Sequence, residues 1–299
     1  MTYSTSDWPP VAGPEELGEL LSRQKYQPDK GLSQAAFLAL RMGRPLFLEG
    51  DPGVGKTDFA RRIAAALDAR FIRLQCHAGL DATQALYDWN FPKQMLALRA
   101  AEGNWLDRTT AVTSLYGREF LQHRPILRAL QGGRAVLLID EIDRADDEFE
   151  ALLLEVLEDY EVDIPEFGTV QADVRPLVVL TSNRTREVHD ALKRRCLYHW
   201  IAHPEPDLEI RILRQRVPDL PDDLAGQIAA GMRRVRRSAA VMKPPGVAES
   251  IDFAVALTAC AAEALDPNSV DAAMSAIVKH HEDHDVVRRL LLCPPADAR

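Results

Sequence analysis

The chain has 299 residues, of which 46% are hydrophobic and 27% charged, and its formal net charge at pH 7 is −9. This length exceeds that of a typical single domain, so we expect one large domain and one smaller domain. The composition excludes a disordered chain. The acidic balance disfavours nucleic acid as the main partner, because an acidic surface repels the phosphate backbone.

The amino-terminal segment and the cysteines bear on the compartment of the protein. Residues 1–10 contain no basic region followed by an apolar stretch, so no secretory signal is predicted. The most apolar segment, 253–262, is too short to cross a bilayer, and no membrane insertion is expected. Four cysteines stand singly, without metal-ligand spacing, at Cys76, Cys196, Cys260 and Cys293. We therefore expect reduced thiols and a cytoplasmic protein.

Five short apolar segments predict β-strands, at residues 45–49, 70–75, 135–140, 177–182 and 197–201. Near-continuous apolar runs of this length are typical of strands that are buried on both faces of a parallel sheet. The segments between them have apolar residues at helical spacing. This alternation of strands and helices indicates an open α/β sheet.

The character of the chain changes near residue 204. The proline-punctuated segment 203–206 is typical of a linker, and no convincing strand follows it. Helices are predicted over 208–217, 224–238, 247–265 and 270–292. We therefore predict a second, all-helical domain in this part of the chain.

The segment after the first predicted strand has the pattern G-x-x-x-x-G-K-S/T. Its glycines allow backbone N–H groups to curl around phosphate oxygens, and the following helix adds partial positive charge. Lys56 is placed to reach the β- and γ-phosphates, and the Thr57 hydroxyl is placed to ligate Mg²⁺. A chance glycine-rich turn is the alternative, which the flanking strand and helix disfavour. The predicted ATP-binding residues are Asp51, Pro52, Gly53, Val54, Gly55, Lys56, Thr57 and Asp58.

Two carboxylates end the third predicted strand, in the segment Val136-Leu137-Leu138-Ile139-Asp140-Glu141. The carboxyl ends of strands are where ligands bind in open α/β sheets. Asp140 is the candidate ligand of Mg²⁺, directly or through water, and Glu141 is the candidate base that polarises the attacking water. Taken alone, the segment could also be a strand end followed by an acidic helix cap.

Two further polar signals follow. Asn183, after the fourth predicted strand, could hold the lytic water in line with the γ-phosphate, although an asparagine read alone is more often a turn residue. Lys193-Arg194-Arg195 precedes the fifth strand. An arginine here could reach the γ-phosphate of a neighbouring subunit as an arginine finger. Spacing alone favours a solvated basic helix end.

These four motifs stand in the order seen in AAA+ ATPases, and their local sequences resemble those of the MoxR family of that superfamily. The resemblance spans roughly residues 45–263, and its most specific segments are 49–57, 138–145 and 152–158. It implies an AAA+ P-loop core with a five-stranded parallel sheet and a smaller all-α lid. The implied domains are an N-terminal extension over 1–30, an αβα nucleotide-binding domain over 31–204 and a helical lid over 205–299.

The resemblance also assigns roles by position. The matching residues are Lys56 and Thr57 in Walker A, Asp140 and Glu141 in Walker B, and Asn183 in sensor 1. Arg195 matches the arginine of the family's Asp-Arg-Phe finger motif. Here the local sequence is Arg194-Arg195-Cys196, so which of the two arginines acts stays open.

Other family features match less completely. The segments 88–100 and 161–170 resemble the helix-2 insert and the hairpin before sensor 1, which line the central pore in similar proteins. The family's sensor 2 is an arginine, and Val247 occupies its position here. Lys243 is the candidate substitute. The alternative for this segment is a helix start with prolines in its first turn.

The segments 86–91, 194–200 and 243–246 resemble the MoxR branch associated with maturation of copper–molybdenum carbon monoxide dehydrogenase. Members of that branch work with a von Willebrand factor A-domain partner. The resemblance therefore implies a Mg²⁺-dependent ATPase that forms a homo-oligomeric ring, expected to be a hexamer, and remodels a metalloenzyme client. The alternatives are an ATP-dependent scaffold with little turnover and a nucleic-acid remodelling ATPase.

Two remaining signals favour ordinary surface roles. His280 and His284 are predicted to share a helix face, which invites a metal site, but no further ligands stand at convincing spacing. A solvated polar helix is the favoured interpretation. The arginine-rich segment 233–237 could contact nucleic acid, but on an acidic chain a solvated or subunit-facing helix is favoured.

Overall fold

The computed structural model describes residues 8–100 and 114–293, and the chain forms two compact units. The first unit combines the chain up to Leu17 with Lys30–Glu49 and Ala60–His199. The second combines Gly18–Asp29 and Gly50–Phe59 with the chain from Trp200 onward. The division at residues 30 and 204 stays a prediction.

The first unit is built on a five-stranded sheet. Its strands are β1 (Leu46–Glu49), β2 (Arg70–Gln75), β5 (Ala135–Asp140), β8 (Leu177–Ser182) and β9 (Leu197–Trp200). They lie in the order β2-β5-β8-β1-β9, and the pairs β2–β5, β5–β8 and β8–β1 are parallel. The predicted five-stranded α/β sheet is confirmed, with the first and last strands each one residue shorter than predicted.

Burial differs between the middle and the edges of this sheet. Every residue of β1, β5 and β8 is buried. In β2 and β9 buried or half-buried residues alternate with exposed ones over much of the strand. The expectation that all five strands are buried on both faces is therefore wrong for the two edge strands. Side chains alternate between the two faces of a strand, and one face of each edge strand is largely exposed.

Helices flank these strands wherever apolar residues recur at helical spacing. The described helices up to the end of the sheet are α1 (Pro14–Arg23), α2 (Lys30–Met42), α3 (Lys56–Ala66), α4 (Ala82–Ala85), α5 (Phe91–Ala100), α6 (Pro125–Leu130), α7 (Asp147–Asp159) and α8 (Asp190–Arg195). Helix α7 illustrates how the sequence sets the two ends of a helix. The Asp146 side chain caps it by accepting from Phe149 N at 3.0 Å, and Tyr160 ends it in the left-handed conformation.

Two short hairpins form separate two-stranded sheets. One pairs β3 (Tyr87–Trp89) with β4 (Leu121–His123), and α5 begins directly after β3. The other pairs β6 (Glu161–Ile164) with β7 (Gly168–Gln171), where Gly168 has a φ of 99° that favours glycine. The second hairpin lies where the sequence predicts one, between α7 and β8.

The carboxyl-terminal part of the second unit is helical throughout its described elements. These are α9 (Pro206–Arg216), α10 (Asp222–Arg237), α11 (Val247–Ala259), α12 (Pro267–Ile277) and α13 (His284–Leu292), with a single 3-10 turn before α13. They enclose a separate core that includes Leu224, Met232, Phe253, Val270 and Leu291. The predicted all-helical character is confirmed for this region.

Two of the helices predicted in this region are wrong in their extent. The helix predicted over 247–265 stops at Ala259, and Ala261 has a positive φ of 50°. The helix predicted over 270–292 is two helices, because the buried Asp283 turns back to accept from Met242 N at 2.8 Å and Lys243 N at 3.1 Å. His280 therefore lies within the helix break and His284 begins α13, so the two do not share a helix face.

Candidate active site

The phosphate loop begins at the residue after β1 and leads into α3. Gly53 and Gly55 have φ values of 80° and 97°, a conformation that residues with a Cβ rarely adopt. The loop ends in the first turn of α3, where Lys56 and Thr57 are the first two helical residues. Backbone N–H groups at such a turn and helix start can bind anionic oxygens.

Lys56 is buried within the loop that it follows. Its Nζ donates to Gly50 O at 2.6 Å and to Asp51 O at 2.9 Å. These bonds hold the ammonium group over the inner side of the loop, so the charge that a phosphate would meet is already in position.

A cavity of about 340 Å³ lies beside the phosphate loop within the second unit. Its lining combines apolar side chains with the loop glycines, and includes Tyr26, Gly53, Val54, Ile212, Val247 and Ile251. Burial raises the pKa of Tyr26, which packs edge-on against Phe59 with the ring centroids 5.6 Å apart. A cavity of this size and character suits a flat aromatic ligand such as a nucleotide base.

An ion pair closes one side of this cavity. Asp58, in the first turn of α3, pairs with Arg216 at the end of α9. Asp58 is among the predicted ATP-binding residues. Its carboxylate is engaged by this arginine, so its contribution to the pocket includes holding α9 against the start of α3.

The amino terminus of α11 packs directly on the phosphate loop. Val247 N and Ala248 N donate to Gly53 O at 3.0 and 3.2 Å. A Cβ on Gly246 would lie 2.8 Å from Gly53 Cα and from Pro52 O, closer than Cβ atoms approach other atoms. Glycine at both positions thus allows the two backbones to touch.

Arg236 fixes the segment that precedes α11. Its guanidinium makes a bidentate pair with the fully buried Glu209 at 2.8 and 2.9 Å, and donates to Pro245 O, Gly246 O and Ser250 Oγ. Removing one partner of a buried ion pair strongly destabilises the folded protein, because the other charge stays buried without a partner. Arg236 is thus positioned to stabilise the Gly246–Gly53 contact without contributing to the cavity itself.

His203 lies next to the phosphate loop, with Nε2 3.2 Å from Asp51 Oδ2. Burial lowers the pKa of His203, the nearby charge of Arg236 lowers it further, and Asp51 opposes the shift. The Asp51 side chain is therefore directed to this histidine.

The two carboxylates at the end of β5 have separate partners. Asp140 is 2% exposed and accepts from Thr181 Oγ1 at 2.6 Å through Oδ1, and from Arg73 Nε at 2.9 Å through Oδ2. Glu141 has a left-handed backbone, with a φ of 57° and a ψ of 52°. Its N–H donates to Thr181 Oγ1 at 2.9 Å, so Thr181 links both residues to β8.

Three side chains surround the Glu141 carboxylate. Gln75 Nε2 donates to Oε2 at 3.0 Å, Arg144 donates to the same oxygen at 2.9 Å, and Asn183 Nδ2 lies 3.4 Å from Oε1. The structure thus brings Asp140, Glu141 and Asn183 together, as the sequence predicts. An ordinary acidic helix cap would not require this convergence from β2, β5 and β8.

Asp143 holds the segment that carries Asn183. It is 3% exposed, and its Oδ2 accepts from Asn183 N at 3.2 Å, Thr185 N at 2.8 Å and Thr185 Oγ1 at 2.7 Å. Sequence reasoning gave no role to Asp143, Thr181, Arg73 or Gln75. Gln75 lies opposite Asp140 in the parallel pairing of β2 with β5, a pairing that local sequence does not reveal.

The two candidate finger arginines have different surroundings. Arg195 donates to Leu154 O and pairs with Glu158 at 3.0 Å, both on α7 of the same chain. Arg194 is exposed at the end of α8. Arg44 fixes this end of the helix by donating to the backbone oxygens of residues 194, 195 and 196.

Lys243 is the candidate substitute for sensor 2. It is not among the described residues that line the cavity. Its side chain is exposed, and its N–H donates to Asp283. Val247 lines the cavity instead. The structure therefore does not bring Lys243 to the phosphate loop, and its predicted contact with the nucleotide stays a prediction.

A family model, the AAA domain of the dynein-related subfamily, matches residues 45–196, which is just over half of the chain. The chain belongs to this AAA family. Proteins of this family are ATPases that bind nucleotide with Mg²⁺ and typically assemble into rings. The matched segment contains the phosphate loop, Asp140, Glu141, Asn183 and Arg195.

Similarity to individual proteins is more limited. Over 70 residues the AAA chain is 39% identical to a mitochondrial sorting homolog of Caenorhabditis elegans. These 70 residues make up 23% of this chain and 20% of that protein. The chain thus spans only a fifth of this curated relative.

Among solved structures, the RuvB Holliday junction branch migration motor of Thermotoga maritima is similar with a TM-score of 0.47 and 19% identity, covering 89% of this chain and 72% of that chain. A mutant of the same RuvB gives a TM-score of 0.49 and 21% identity over the same shares. In the described part of the AAA chain, no helix has the length and hydropathy needed to span a membrane.

Proposed function

We propose that this chain is a Mg²⁺-dependent ATPase that assembles into a ring, expected to be a hexamer, and uses hydrolysis to remodel a partner protein. One observation carries the hydrolytic part. Asp140, Glu141, Thr181 and Asn183 are linked by hydrogen bonds at the carboxyl ends of β5 and β8, in a sheet whose strand β1 leads into a phosphate loop.

The residues present fit a nucleotide with Mg²⁺. The left-handed glycines and the helix start provide backbone donors for phosphates, and Lys56 supplies a fixed positive charge. Thr57 and Asp140 would hold the metal through a hydroxyl and a carboxylate, which are the hard oxygen ligands that Mg²⁺ prefers. When bound, Mg²⁺ neutralises phosphate charge.

Glu141 is the proposed general base. Its carboxylate accepts hydrogen bonds that hold it in one orientation, and an ionised, oriented carboxylate can polarise a water molecule. Asn183 lies on the other oxygen of the same carboxylate, and an amide there can hold the water in line for attack. The strained backbone of Glu141 supports a functional role, because such strain is common at active sites.

The proposed ring follows from the arginine at the end of α8. An arginine finger acts on the γ-phosphate of a neighbouring subunit, so a protein that uses one requires a second copy beside its own site. Arg195 is the proposed finger because it matches the finger motif by position, and Arg194 is the second candidate.

The proposed partner and client come from the resemblance to MoxR proteins. We infer a von Willebrand factor A-domain partner and a metalloenzyme client, with the copper–molybdenum carbon monoxide dehydrogenase branch as the specific expectation. Glu141→Gln should hold ATP without hydrolysing it. A pull-down with this variant should therefore retain the client longest, and recovery of a molybdenum enzyme would support this assignment.

The hydrolytic assignment is tested by ATP turnover of the wild type, Glu141→Gln and a matched control. Glu141→Gln removes the base while keeping the size of the side chain, so turnover should fall by about 10²-fold or more. Glu148→Gln makes the same change at an exposed position in the first turn of α7 and should leave turnover unchanged. Equal turnover in wild type and Glu141→Gln would remove Glu141 from the mechanism.

A scaffold that binds ATP with little turnover is the second candidate. The observation that favours it is the exposed Lys243 together with Val247 at the position of the sensor-2 arginine. Tight ATP binding with negligible turnover, even with the partner present, would support the scaffold over the remodelling ATPase.

A nucleic-acid remodelling ATPase has less support from the arginine-rich segment of α10. Arg234 donates to Leu290 O and Leu291 O, and Arg236 is buried against Glu209, so two of its arginines face their own chain. DNA that stimulates ATP turnover at moderate salt would nevertheless favour this candidate.

A further inference from the structure

Strand β2 places an arginine on the carboxylate that we propose as the Mg²⁺ ligand. Arg73 donates from Nε to Asp140 Oδ2 at 2.9 Å, and a second guanidinium nitrogen lies 2.6 Å from the same oxygen. The Asp140 side chain is 3% exposed, whereas that of Arg73 is 43% exposed. The carboxylate is thus fixed in the interior, and the arginine reaches it from the surface.

The two oxygens of Asp140 have different partners. Oδ1 accepts from Thr181 Oγ1 at 2.6 Å, and that hydroxyl also accepts from Glu141 N. Oδ2 is the oxygen that Arg73 contacts. A Mg²⁺ ion held by Asp140, directly or through a bound water, needs a lone pair on a carboxylate oxygen, and it would repel a guanidinium on the same oxygen.

Arg73 is also connected to the proposed base. It donates to the side-chain oxygen of Gln75, two residues along β2, and Gln75 Nε2 donates to Glu141 Oε2 at 3.0 Å. A continuous set of hydrogen bonds therefore runs from Asp140 through Arg73 and Gln75 to Glu141. Arg73 thus bonds to one of the three side chains that contact the Glu141 carboxylate.

We propose that Arg73 is a gate on the metal site: it occupies Asp140 Oδ2 until Mg²⁺ with nucleotide displaces it. Its departure removes its hydrogen bond to Gln75, while Gln75, Arg144 and Asn183 still hold the Glu141 carboxylate. This inference rests on the proposed function, since it requires Asp140 to hold the metal through Oδ2, directly or through a metal-bound water. The arginine acts as a positioning residue and touches neither nucleotide nor the attacking water.

The exposure of Arg73 makes the displacement feasible. An arginine with a long flexible stem at an edge strand can turn into solvent, where its charge is well hydrated. Loss of the arginine alone would leave a buried carboxylate without its cation, which is costly, so the exchange requires the incoming Mg²⁺ to replace that charge. Asp140, which is buried and bonded to Thr181, stays in place when the arginine leaves.

The test compares Arg73→Gln with wild type by titrating Mn²⁺, as a paramagnetic substitute for Mg²⁺, into the full chain with a non-hydrolysable ATP analogue. Binding is followed by loss of the free Mn²⁺ resonance. The variant removes the competing cation, so its Mn²⁺ midpoint should fall roughly three- to tenfold. Adding Asp140→Asn to Arg73→Gln should abolish this gain.

Arg134→Gln is the matched control. Arg134 is exposed and stands immediately before β5, at the opposite end of the strand that ends in Asp140. The substitution Arg134→Gln removes the same charge as Arg73→Gln, but at a distance of roughly 20 Å from Asp140 along the strand. Its Mn²⁺ midpoint should equal that of wild type, so a fall in both variants would indicate a general charge effect and overturn the gate.

Failure of the gate can be told apart from failure of the proposed function. Binding of the ATP analogue is measured separately in EDTA for each variant. If the analogue binds and Arg73→Gln leaves the Mn²⁺ midpoint unchanged or raises it, the gate is wrong while the nucleotide site stands. If the wild type binds no nucleotide, both proposals are wrong.

Discussion

Arg195 shows how one side chain can be tied to its own chain and still be the proposed finger. Its guanidinium contacts Leu154 O and Glu158 on α7, so it would have to exchange these partners to reach a neighbouring subunit. The Glu158 side chain is 62% exposed, and a pair of this kind contributes little to stability. The pair is therefore compatible with exchange on assembly.

If Arg195 is the finger, substitutions of Arg195 and of Glu158 should have different effects on ATP turnover. Arg195→Ala should lower ATP turnover by about 10³-fold, because a guanidinium on the transferred phosphate contributes at least that much. Glu158→Gln frees the arginine without removing it and should keep or raise turnover. The measurement is steady-state ATP turnover with both variants at concentrations where the wild type is assembled.

Arg194→Ala is the control for this experiment, since Arg194 is the exposed neighbour. If Arg194→Ala abolishes turnover and Arg195→Ala does not, the finger is Arg194. If Glu158→Gln reproduces the loss seen in Arg195→Ala, the role of Arg195 is to hold α8 against α7, and the finger assignment for it is wrong.

Helix α11 is the element that joins the helical bundle to the phosphate loop within the second unit. Its first two N–H groups donate to Gly53 O, and Gly246 provides the space for this contact. Arg236 anchors the preceding turn to Glu209. The helix that carries the sensor-2 position in similar proteins thus reaches the loop here through its backbone, and Val247 contributes an apolar side chain to the cavity.

A substitution at Gly246 should separate this helix from the loop. Gly246→Ala places a methyl group 2.8 Å from Pro52 O and Gly53 Cα, so the backbones must move apart at a cost of about 1–3 kcal/mol. Nucleotide affinity should fall by roughly tenfold or more as the loop distorts. Equilibrium binding of a fluorescent ATP analogue measures this change.

Gly226→Ala is the matched control, because Gly226 lies within α10 and a Cβ there meets no atom within 4 Å. Alanine is the better helix former, so this variant should keep its nucleotide affinity and gain up to about 1 kcal/mol of stability. Unchanged affinity in Gly246→Ala would show that the contact of α11 with Gly53 is unimportant for binding.

Assembly is the prediction that belongs to the whole molecule. A trans-acting arginine makes the active site incomplete in a single chain, so nucleotide and oligomer should stabilise each other by mass action. With ATP and Mg²⁺, static light scattering of Glu141→Gln should report a species of several 33.3 kDa chains, with six as the expected number.

Lys56→Ala provides the comparison for assembly, since it removes the charge fixed inside the phosphate loop. It should remain at lower mass under the same conditions. A monomer of Glu141→Gln at all concentrations of ATP and Mg²⁺ would count directly against a ring and against any finger supplied by a neighbour.

The sequence alone determined the sheet and which candidate site residues lie together at its edge. Strands 70–75, 135–140 and 177–182 were predicted to the residue. In 135–140 and 177–182 a run of successive apolar residues leaves few alternatives, whereas 70–75 is a shorter apolar pattern interrupted by Arg73. The order of Asp140, Glu141 and Asn183 after buried strands was likewise enough to place them at one edge of a parallel sheet.

Only the tertiary structure decided which side chains surround them. Arg73, Gln75 and Thr181 reach the two carboxylates because β2 and β8 lie on either side of β5, and strand order is set by packing across the sheet rather than by local sequence. The helix break at Asp283 was missed for the same reason. Its buried carboxylate is held by two backbone N–H groups some 40 residues away in the chain, which no local pattern encodes.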